Sequence, residues 1–231
     1  MLELLSRDVD EQVRTWVARN PNTPSQILEH LSKDAHFFVR IRVAQNRHTP
    51  HPVLERLCED KDDDLKRTVA LNPGAPPSLL EAPSENEDRG VRLHVAHNSQ
   101  CSPEVLRKLS TDSDVGVRVG VVQNPNCLAD TLAHLYDADD PSMSWKIAHH
   151  PNASSELLEG LVQLPDDNIK RTLVKHPHTP AKALVWLGNE AAEKIELCRL
   201  RNSSSSAVSW GYGKRSVAHL QGHRQTPQRP P

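Results

Sequence analysis

Asparagine recurs in this sequence at a fixed interval of 26 residues, and this period constrains the fold more than any other feature. The repeated positions are Asn20, Asn46, Asn72, Asn98 and Asn124, continued by His150, His176 and Asn202. No insertion or deletion interrupts the spacing between Leu2 and Asn202. Such a period is typical of arrays in which each repeat is one small structural unit that stacks on the next.

Four apolar positions keep the same step, which indicates that successive repeats share one core. Two of them hold Leu28, Leu54, Leu80, Leu106, Leu132, Leu158 and Leu184, and Leu31, Leu57, Leu109, Leu135, Leu161 and Leu187, with Pro83 as the break in the second series. The other two hold Val13, Val39, Leu65, Val91, Val117, Met143, Ile169 and Ile195, and Val17, Val43, Val69, Val95, Val121, Ile147 and Leu173.

Each repeat is predicted to contain a longer and a shorter helix. Val13 and Val17 lie four residues apart, on one face of the longer helix. We expect Asp8 to cap the start of that helix, and the Asn20-Pro21 step to end it. The equivalents of Asp8 are Asp34, Asp60 and Asp112. A step such as Thr23-Pro24 then predicts the start of the shorter helix, with threonine at N-cap and proline at N1.

The composition fits a thin, extended core. Hydrophobic residues make up 36% of the 231-residue chain and aromatic residues 3%. With the nine glycines the apolar content reaches about 40%, below the ~45–50% of ordinary domains counted in the same way. A large apolar cofactor cavity is therefore not expected. We predict an all-α solenoid of about eight helix-pair repeats over residues 1–202, without a sheet.

Residues 203–231 lack the period and are predicted to be a disordered basic tail. This segment has four basic residues and no acidic one, so a total formal charge of −2 leaves −6 on residues 1–202. A tail that folds back on the acidic array is one alternative, and a solvated extension is the other.

The repeat resembles the leucine-rich repeat variant family. The motifs that carry the resemblance are Val-Arg, Val-Ala, Asn-Pro and Thr-Pro, quoted from Leu2 to Pro24 and from Leu28 to Pro50. The resemblance implies a bacterial protein with a right-handed superhelix of α-helices and short or 3-10 helices, which interacts with another macromolecule. One type in the family binds an iron–sulfur cluster through N-terminal cysteines, but no cysteine precedes Cys58 here. An Asp followed six residues later by Arg, as in Asp8 and Arg14, also resembles HEAT repeats.

The sequence offers no motif for catalysis or cofactor binding, so we predict no enzyme activity and no cofactor. His149, His150, His176 and His178 form a ridge that could hold a metal, although the ~9 Å expected between packed helices is too long for shared ligation. Cys101 and Cys127 occupy the position of Thr23 and are interpreted as reduced, structural thiols.

Acidic residues recur four positions before basic ones. These pairs are Asp10 and Arg14, Asp62 and Lys66, Asp88 and Arg92, Asp114 and Arg118, and Asp166 and Lys170. We interpret them as structural i, i+4 pairs within the longer helix.

A binding surface is expected where the longer helices vary from repeat to repeat, because solenoids bind through such positions. The residues predicted to contact a partner protein are Trp16, Arg19, Arg42, His94, His97, Lys146 and His149. The favoured function is a non-enzymatic protein interaction scaffold in the cytoplasm, because the sequence has no signal peptide or membrane span and suggests no small-molecule substrate.

Two alternatives remain open. One is a HEAT-like nucleic-acid-binding protein or DNA glycosylase, which the charge of −6 disfavours and which continuous positive potential around Arg42, Arg67, Arg92 and Lys146 would favour. The other is a metal-dependent regulator that uses the histidine ridge.

Deleting residues 203–231 tests the predicted division of the chain. Because the period stops at Asn202, we expect the truncated protein to keep its helicity and melting temperature, measured by circular dichroism. A fall of more than about 5 °C would show that the tail stabilises the array.

Overall fold

The computed structural model describes residues 1–137 and 140–193, and it is helical without a strand in these ranges. Residues Met1–Pro180 form one compact unit, and the described residues from Ala181 onward belong to a second. The prediction of an all-helical array of 26-residue helix pairs is confirmed. The predicted boundary at residue 202 and the predicted tail lie outside the described residues.

Longer and shorter helices alternate along the first unit, after the one-turn helix α1 (Leu2–Leu5). The longer helices are α2 (Glu11–Arg19), α4 (Phe37–Gln45), α6 (Asp63–Leu71), α7 (Arg89–His97), α9 (Val115–Gln123), α11 (Pro141–Ala148) and α13 (Asp167–Lys175). The second helices of the repeats are called the shorter helices, although two of them equal α11 in length: α3 (Ser25–Leu31), α5 (His51–Cys58), α8 (Pro103–Leu109), α10 (Ala129–Leu135) and α12 (Ser155–Val162). In the second unit, residues 181–193 are helical.

The third repeat has no short α-helix. Two 3-10 helices, Pro77–Leu80 and Ala82–Glu85, take its place. Pro83 stands where other repeats have a core leucine, and a proline inside a helix removes a backbone donor and clashes with the preceding turn. The break in the leucine series therefore marks a local change in backbone structure.

The periodic apolar positions form the core of the first unit. Leu28, Leu54, Leu80, Leu106, Leu132 and Leu158 are fully buried, and so are Val43, Val69, Val95, Val121, Ile147 and Leu173. Val13 is half-buried at the start of the array, and Leu184, in the second unit, is 39% exposed. Each fully buried leucine contributes about 1.5–3 kcal/mol of hydrophobic stabilisation.

The prediction that Asp8 and its equivalents cap the longer helices is wrong. The N-cap residue is the aspartate two positions later, as in Asp10, whose side chain accepts a hydrogen bond from the Gln12 amide at 2.8 Å. Asp62, Asp88, Asp114, Asp140 and Asp166 cap in the same way. Asp8 instead accepts from the backbone of Asp10, which orders the turn before the helix.

The threonines before the shorter helices also have a different role from the predicted one. Thr23 Oγ1 donates to the Val17 carbonyl at 2.6 Å, and Thr49 and Thr179 make the same bond to Val43 and Leu173. These hydroxyls satisfy the free carbonyls at the end of the preceding helix, and Pro24 is the N-cap of α3. The prediction holds at Ser102, which caps α8 with Pro103 in its first turn.

The repeated asparagines connect each repeat to the one before it. Asn98 Nδ2 donates to the carbonyls of Ala70 and Asn72 at 2.6 and 3.1 Å, and Asn98 Oδ1 accepts from the Gln100 amide at 2.8 Å. Asn46, Asn72 and Asn124 form equivalent bonds. This asparagine ladder satisfies backbone groups that are buried at the inter-repeat junction, so its role is structural.

The ion pairs of Arg14 and Arg92 join successive repeats and do not involve Asp10 and Asp88, the i, i+4 partners predicted for them. Arg14 forms a two-pronged bridge with Asp34 at 2.6 and 3.0 Å. Arg92 does the same with Asp112, and this hydrogen bonding lowers the pKa of the Asp112 carboxyl. Asp88, which caps α7, pairs instead with Arg67 of the previous repeat.

The same arginines explain the resemblance to the HEAT pattern of Asp followed by Arg. The Nη1 atom of Arg14 donates to the backbone carbonyl of Asp8 at 2.8 Å, and the Nη1 atom of Arg40 donates to the backbone carbonyl of Asp34 at 3.1 Å. The six-residue spacing therefore joins an arginine to a backbone carbonyl, while the aspartate side chain pairs with the arginine of the previous repeat.

Replacing Asn98 by alanine tests the asparagine ladder. The change leaves the Ala70 carbonyl and the Gln100 amide without their partners, and we expect the free energy of unfolding to fall by about 2–4 kcal/mol. Urea denaturation followed by circular dichroism measures the loss. The matched control is Asn22→Ala, at an exposed position outside the ladder, with an expected change below about 0.5 kcal/mol. Equal effects of the two substitutions would contradict the role of the ladder.

Candidate functional site

The seven residues predicted to bind a partner differ in accessibility. Trp16, Arg19, His97 and His149 are exposed, whereas Arg42, His94 and Lys146 are half-buried. All seven belong to longer helices or to the residue that directly follows one. The structure brings three of them, Trp16, Arg19 and Arg42, into one groove.

This groove, the α2–α4 groove, lies between the first two longer helices. It has a volume of about 270 Å³ and is lined by Glu11, Gln12, Thr15, Trp16, Arg19, His36, Phe38 and Arg42. Trp16 is 64% exposed and Phe38 is 60% exposed. Two large aromatic side chains therefore face water at a place where burying them would be favourable.

Phe38 and His36 also line the groove and were not predicted from the sequence. Phe38 has a signal that could have identified it, since the equivalent positions in the other repeats are polar or glycine: Gln12, Asp64, Gly90, Gly116, Ser142 and Asn168. His36 replaces the aspartate N-cap found in most repeats, and its ring lies 5.8 Å from that of Phe38. Stacking of α4 on α2 places both residues beside Trp16.

The arginines of α2 and α4 fall into two groups. Arg14 and Arg40 are paired with Asp34 and Asp60 of the next repeat. Arg19 instead lies over the Trp16 ring, with its guanidinium carbon 5.4 Å from the ring centroid. Arg42 donates to the neutral Gln45 side chain at 2.6 Å. In the described part of the chain, the Arg19 and Arg42 guanidinium groups have no carboxylate at ion-pair distance.

The central residues of the predicted surface, His94 and His97, differ in their contacts with the rest of the protein. His97 Nδ1 lies 2.9 Å from the Leu93 carbonyl and Nε2 lies 3.3 Å from Gln123 Oε1. The His97 ring also lies against Gly120, where an added Cβ would come within 3.1 Å of it. Burial lowers the pKa of His94, and its Nδ1 atom is buried without a hydrogen-bond partner. His97 remains accessible, whereas His94 is partly enclosed.

His149, the last of the predicted residues, lines a second surface concavity. His149 stacks on Trp145 with ring centroids 4.1 Å apart, and its Nε2 lies 3.1 Å from Thr172 Oγ1. The concavity has a volume of about 320 Å³ and is lined by Ala148, His149, Arg171, Thr172, Lys175, His176 and Pro177. Lys146 bonds to Ser142 on the same helix and does not line it.

The histidines at the ladder position are structural. His150 Nε2 lies 2.9 Å from the Asn124 carbonyl, and its Nδ1 accepts from the Asn152 amide at 3.1 Å. His176 repeats this arrangement with the His150 carbonyl and the His178 amide. Both ring nitrogens are used, as the amide is in asparagine. No group of three or more His, Cys, Asp or Glu side chains suited to a metal occurs among the residues that the structure describes.

The thiols at the threonine position are buried. Cys101 and Cys127 are free cysteines with no exposed surface, and burial raises the pKa of each thiol to about 12. They are therefore protonated and unreactive at neutral pH. Their burial in the core agrees with the interpretation of these two residues as structural thiols.

The fold defines the class of protein: a helical repeat scaffold. A sequence model described as "Leucine rich repeat variant" matches residues 11–36 and 89–114. A solved structure described as "a leucine-rich repeat variant with a novel repetitive protein structural motif" is similar, with a TM-score of 0.53 and 31% sequence identity. The similarity covers 74% of this chain and 68% of that one. The chain therefore belongs to the leucine-rich repeat variant family. No curated protein matches it.

Within residues 1–137 and 140–193, no helix is both long and apolar enough to span a bilayer.

The burial of His150 predicts a pH effect on stability. Burial lowers its pKa below the ordinary value of 6.5, so the unfolded chain binds a proton at a pH at which the folded protein does not. Stability should therefore fall as the pH drops below about 6.5. We expect His150→Asn to reduce this dependence, measured by thermal unfolding between pH 7.5 and 5.

The matched control for this substitution is His30→Asn, on the exposed surface of α3. It should leave the pH profile unchanged. An identical profile for the wild-type protein and His150→Asn would contradict the proposed role of the neutral imidazole.

Proposed function

We propose that the protein is a non-enzymatic scaffold that binds a partner protein in the cytoplasm through the exposed side of its longer helices. The observation that carries the proposal is the α2–α4 groove, in which exposed aromatic residues adjoin arginines without carboxylate partners. Tryptophan and arginine are the residue types most enriched at the energetic centres of protein interfaces.

The frame behind this surface supports the proposal. The asparagine ladder and the Arg14–Asp34 and Arg92–Asp112 bridges join successive repeats at fixed geometry. A partner that binds along such a surface loses little free energy in ordering it. The exposed positions can then vary without disturbing the core. One such position holds, in successive repeats, Arg19, Gln45, Leu71, His97 and Gln123.

The ion pairs of the longer helices disfavour the alternative of a nucleic-acid-binding protein. Arg67 is bonded to Asp88 at 2.6 and 3.0 Å and also to Asp64. Arg92 is bonded to Asp112. Arg67 and Arg92 are two of the four cations that would form a continuous positive surface, and both are neutralised by these pairs. In addition, residues 1–202 carry a formal charge of −6, which opposes the binding of a polyanion.

The histidine bonds weigh against a metal-dependent regulator. His150 and His176 would have to give up bonds to neighbouring backbone groups in order to bind a metal. The free thiols of Cys101 and Cys127 support a reducing compartment such as the cytoplasm.

Site-specific photocrosslinking in the native host tests the proposed binding surface. A photoreactive phenylalanine analogue is introduced at Gln45, His97 or His149, which occupy equivalent exposed positions at or directly after the ends of three longer helices. We expect the same discrete adduct from at least two of these positions, detected by a mobility shift and identified by mass spectrometry.

The matched control positions are His30 and Glu55, on the exposed surfaces of the shorter helices α3 and α5. They should give no adduct. Adducts from His30 and Glu55 alone would place the partner on the opposite side of the array and contradict the proposal.

A further inference from the structure

The α2–α4 groove has an aromatic surface on each side. Trp16 projects from the middle of α2, and Phe38 from the first turn of α4, where its ring lies 5.7 Å from the Phe37 ring. The groove volume of about 270 Å³ is enough for one or two large side chains. A ligand that places an apolar side chain between Trp16 and Phe38 would remove both rings from water, which is favourable in proportion to the area buried.

The charges of the groove specify what should lie beside that apolar side chain. Arg14 and Arg40 have aspartate partners, but Arg19 and Arg42, on the same two helices, have none among the described residues. A guanidinium group beside apolar surface forms its strongest hydrogen bonds with a carboxylate. The missing acidic partner would therefore come from the bound molecule.

The groove carries opposite charges at its two ends. Glu11 lies in the first turn of α2 and Arg19 in the last, so the two charges are about 12 Å apart along the helix axis. The acidic part of a ligand should lie at the Arg19 and Arg42 end, because Glu11 would repel it at the other end. This arrangement favours one orientation of an extended ligand.

We propose that the α2–α4 groove binds an acidic segment of a partner protein that carries at least one large apolar side chain. The inference rests on the proposed function and names the chemistry of the partner. The chain's own residues 203–231 fit poorly, since their four charged residues are all basic. A nucleic-acid strand could stack on the aromatic rings, but it carries a phosphate at every nucleotide and would therefore also place negative charge beside the Glu11 carboxylate.

Fluorescence polarisation with synthetic peptides tests the groove. The first probe is a fluorescein-labelled peptide of about twelve residues that combines glutamate with phenylalanine and leucine. Three others replace the apolar residues by alanine, replace glutamate by lysine, or replace glutamate by glutamine. We expect the first probe to bind the full-length protein at least tenfold more tightly than each of the others, and increasingly weakly as salt is added.

Two changes in the groove should weaken this binding at least tenfold. They are Trp16→Ala and the double substitution Arg19→Gln with Arg42→Gln. Matched controls at exposed positions elsewhere are Leu128→Ala and Arg107→Gln, which should leave binding unchanged. Melting temperatures close to that of the wild-type protein would show that the groove variants fold normally, as expected at positions outside the core.

Several results would overturn the inference. The first two are equal binding of the glutamate and lysine peptides, and no effect of Trp16→Ala. The third is tighter binding of a thymidine oligonucleotide than of the acidic peptide. The fourth is a large gain in peptide affinity after removal of residues 203–231, which would show that the tail occupies the groove. Adducts from His97 and His149 together with absent peptide binding would leave the scaffold function standing and refute this inference alone.

Discussion

The burial of backbone polar groups at each inter-repeat junction is the constraint on which the rest of the structure depends. A pair of short helices ends in carbonyls that have no partner of their own, and stacking the next repeat removes those carbonyls from water. Asn98 resolves the conflict at one junction, because its amide donates to Ala70 and Asn72 while its oxygen accepts from Gln100. The partners lie 28 and 26 residues earlier in the chain, so an insertion or deletion between them would disrupt these bonds.

This constraint acts on geometry and leaves some chemical freedom. His150 and His176 replace asparagine because a neutral imidazole has one donor and one acceptor at a similar distance from the backbone. The third repeat likewise tolerates Pro83 and two 3-10 helices while Leu80 stays buried. The exposed side of the longer helices is the least constrained part of a repeat, and the α2–α4 groove lies there.

The core and the ends of most helices were predictable from the sequence, whereas several side-chain partners were not. The apolar series identified residues that are buried, and the Asn20-Pro21 step correctly marked the end of α2. The cap was misplaced by two residues because Asp8 and Asp10 are both good acceptors and the sequence alone does not distinguish them. Arg14 was assigned to Asp10 because local spacing shows partners in the same helix, and Asp34 lies 20 residues away.

Part of the candidate site was visible in the sequence in the same way. Trp16, Arg19 and Arg42 were identified as variable positions of aromatic or basic type, but Phe38 and His36 join them only because α4 stacks on α2. The sequence by itself determined the repeat, the helix pair and the buried faces, since these follow from periodicity and local backbone preference. The tertiary structure decided which arginines are neutralised and which aromatic rings share a groove, because those facts depend on distances between residues of different repeats.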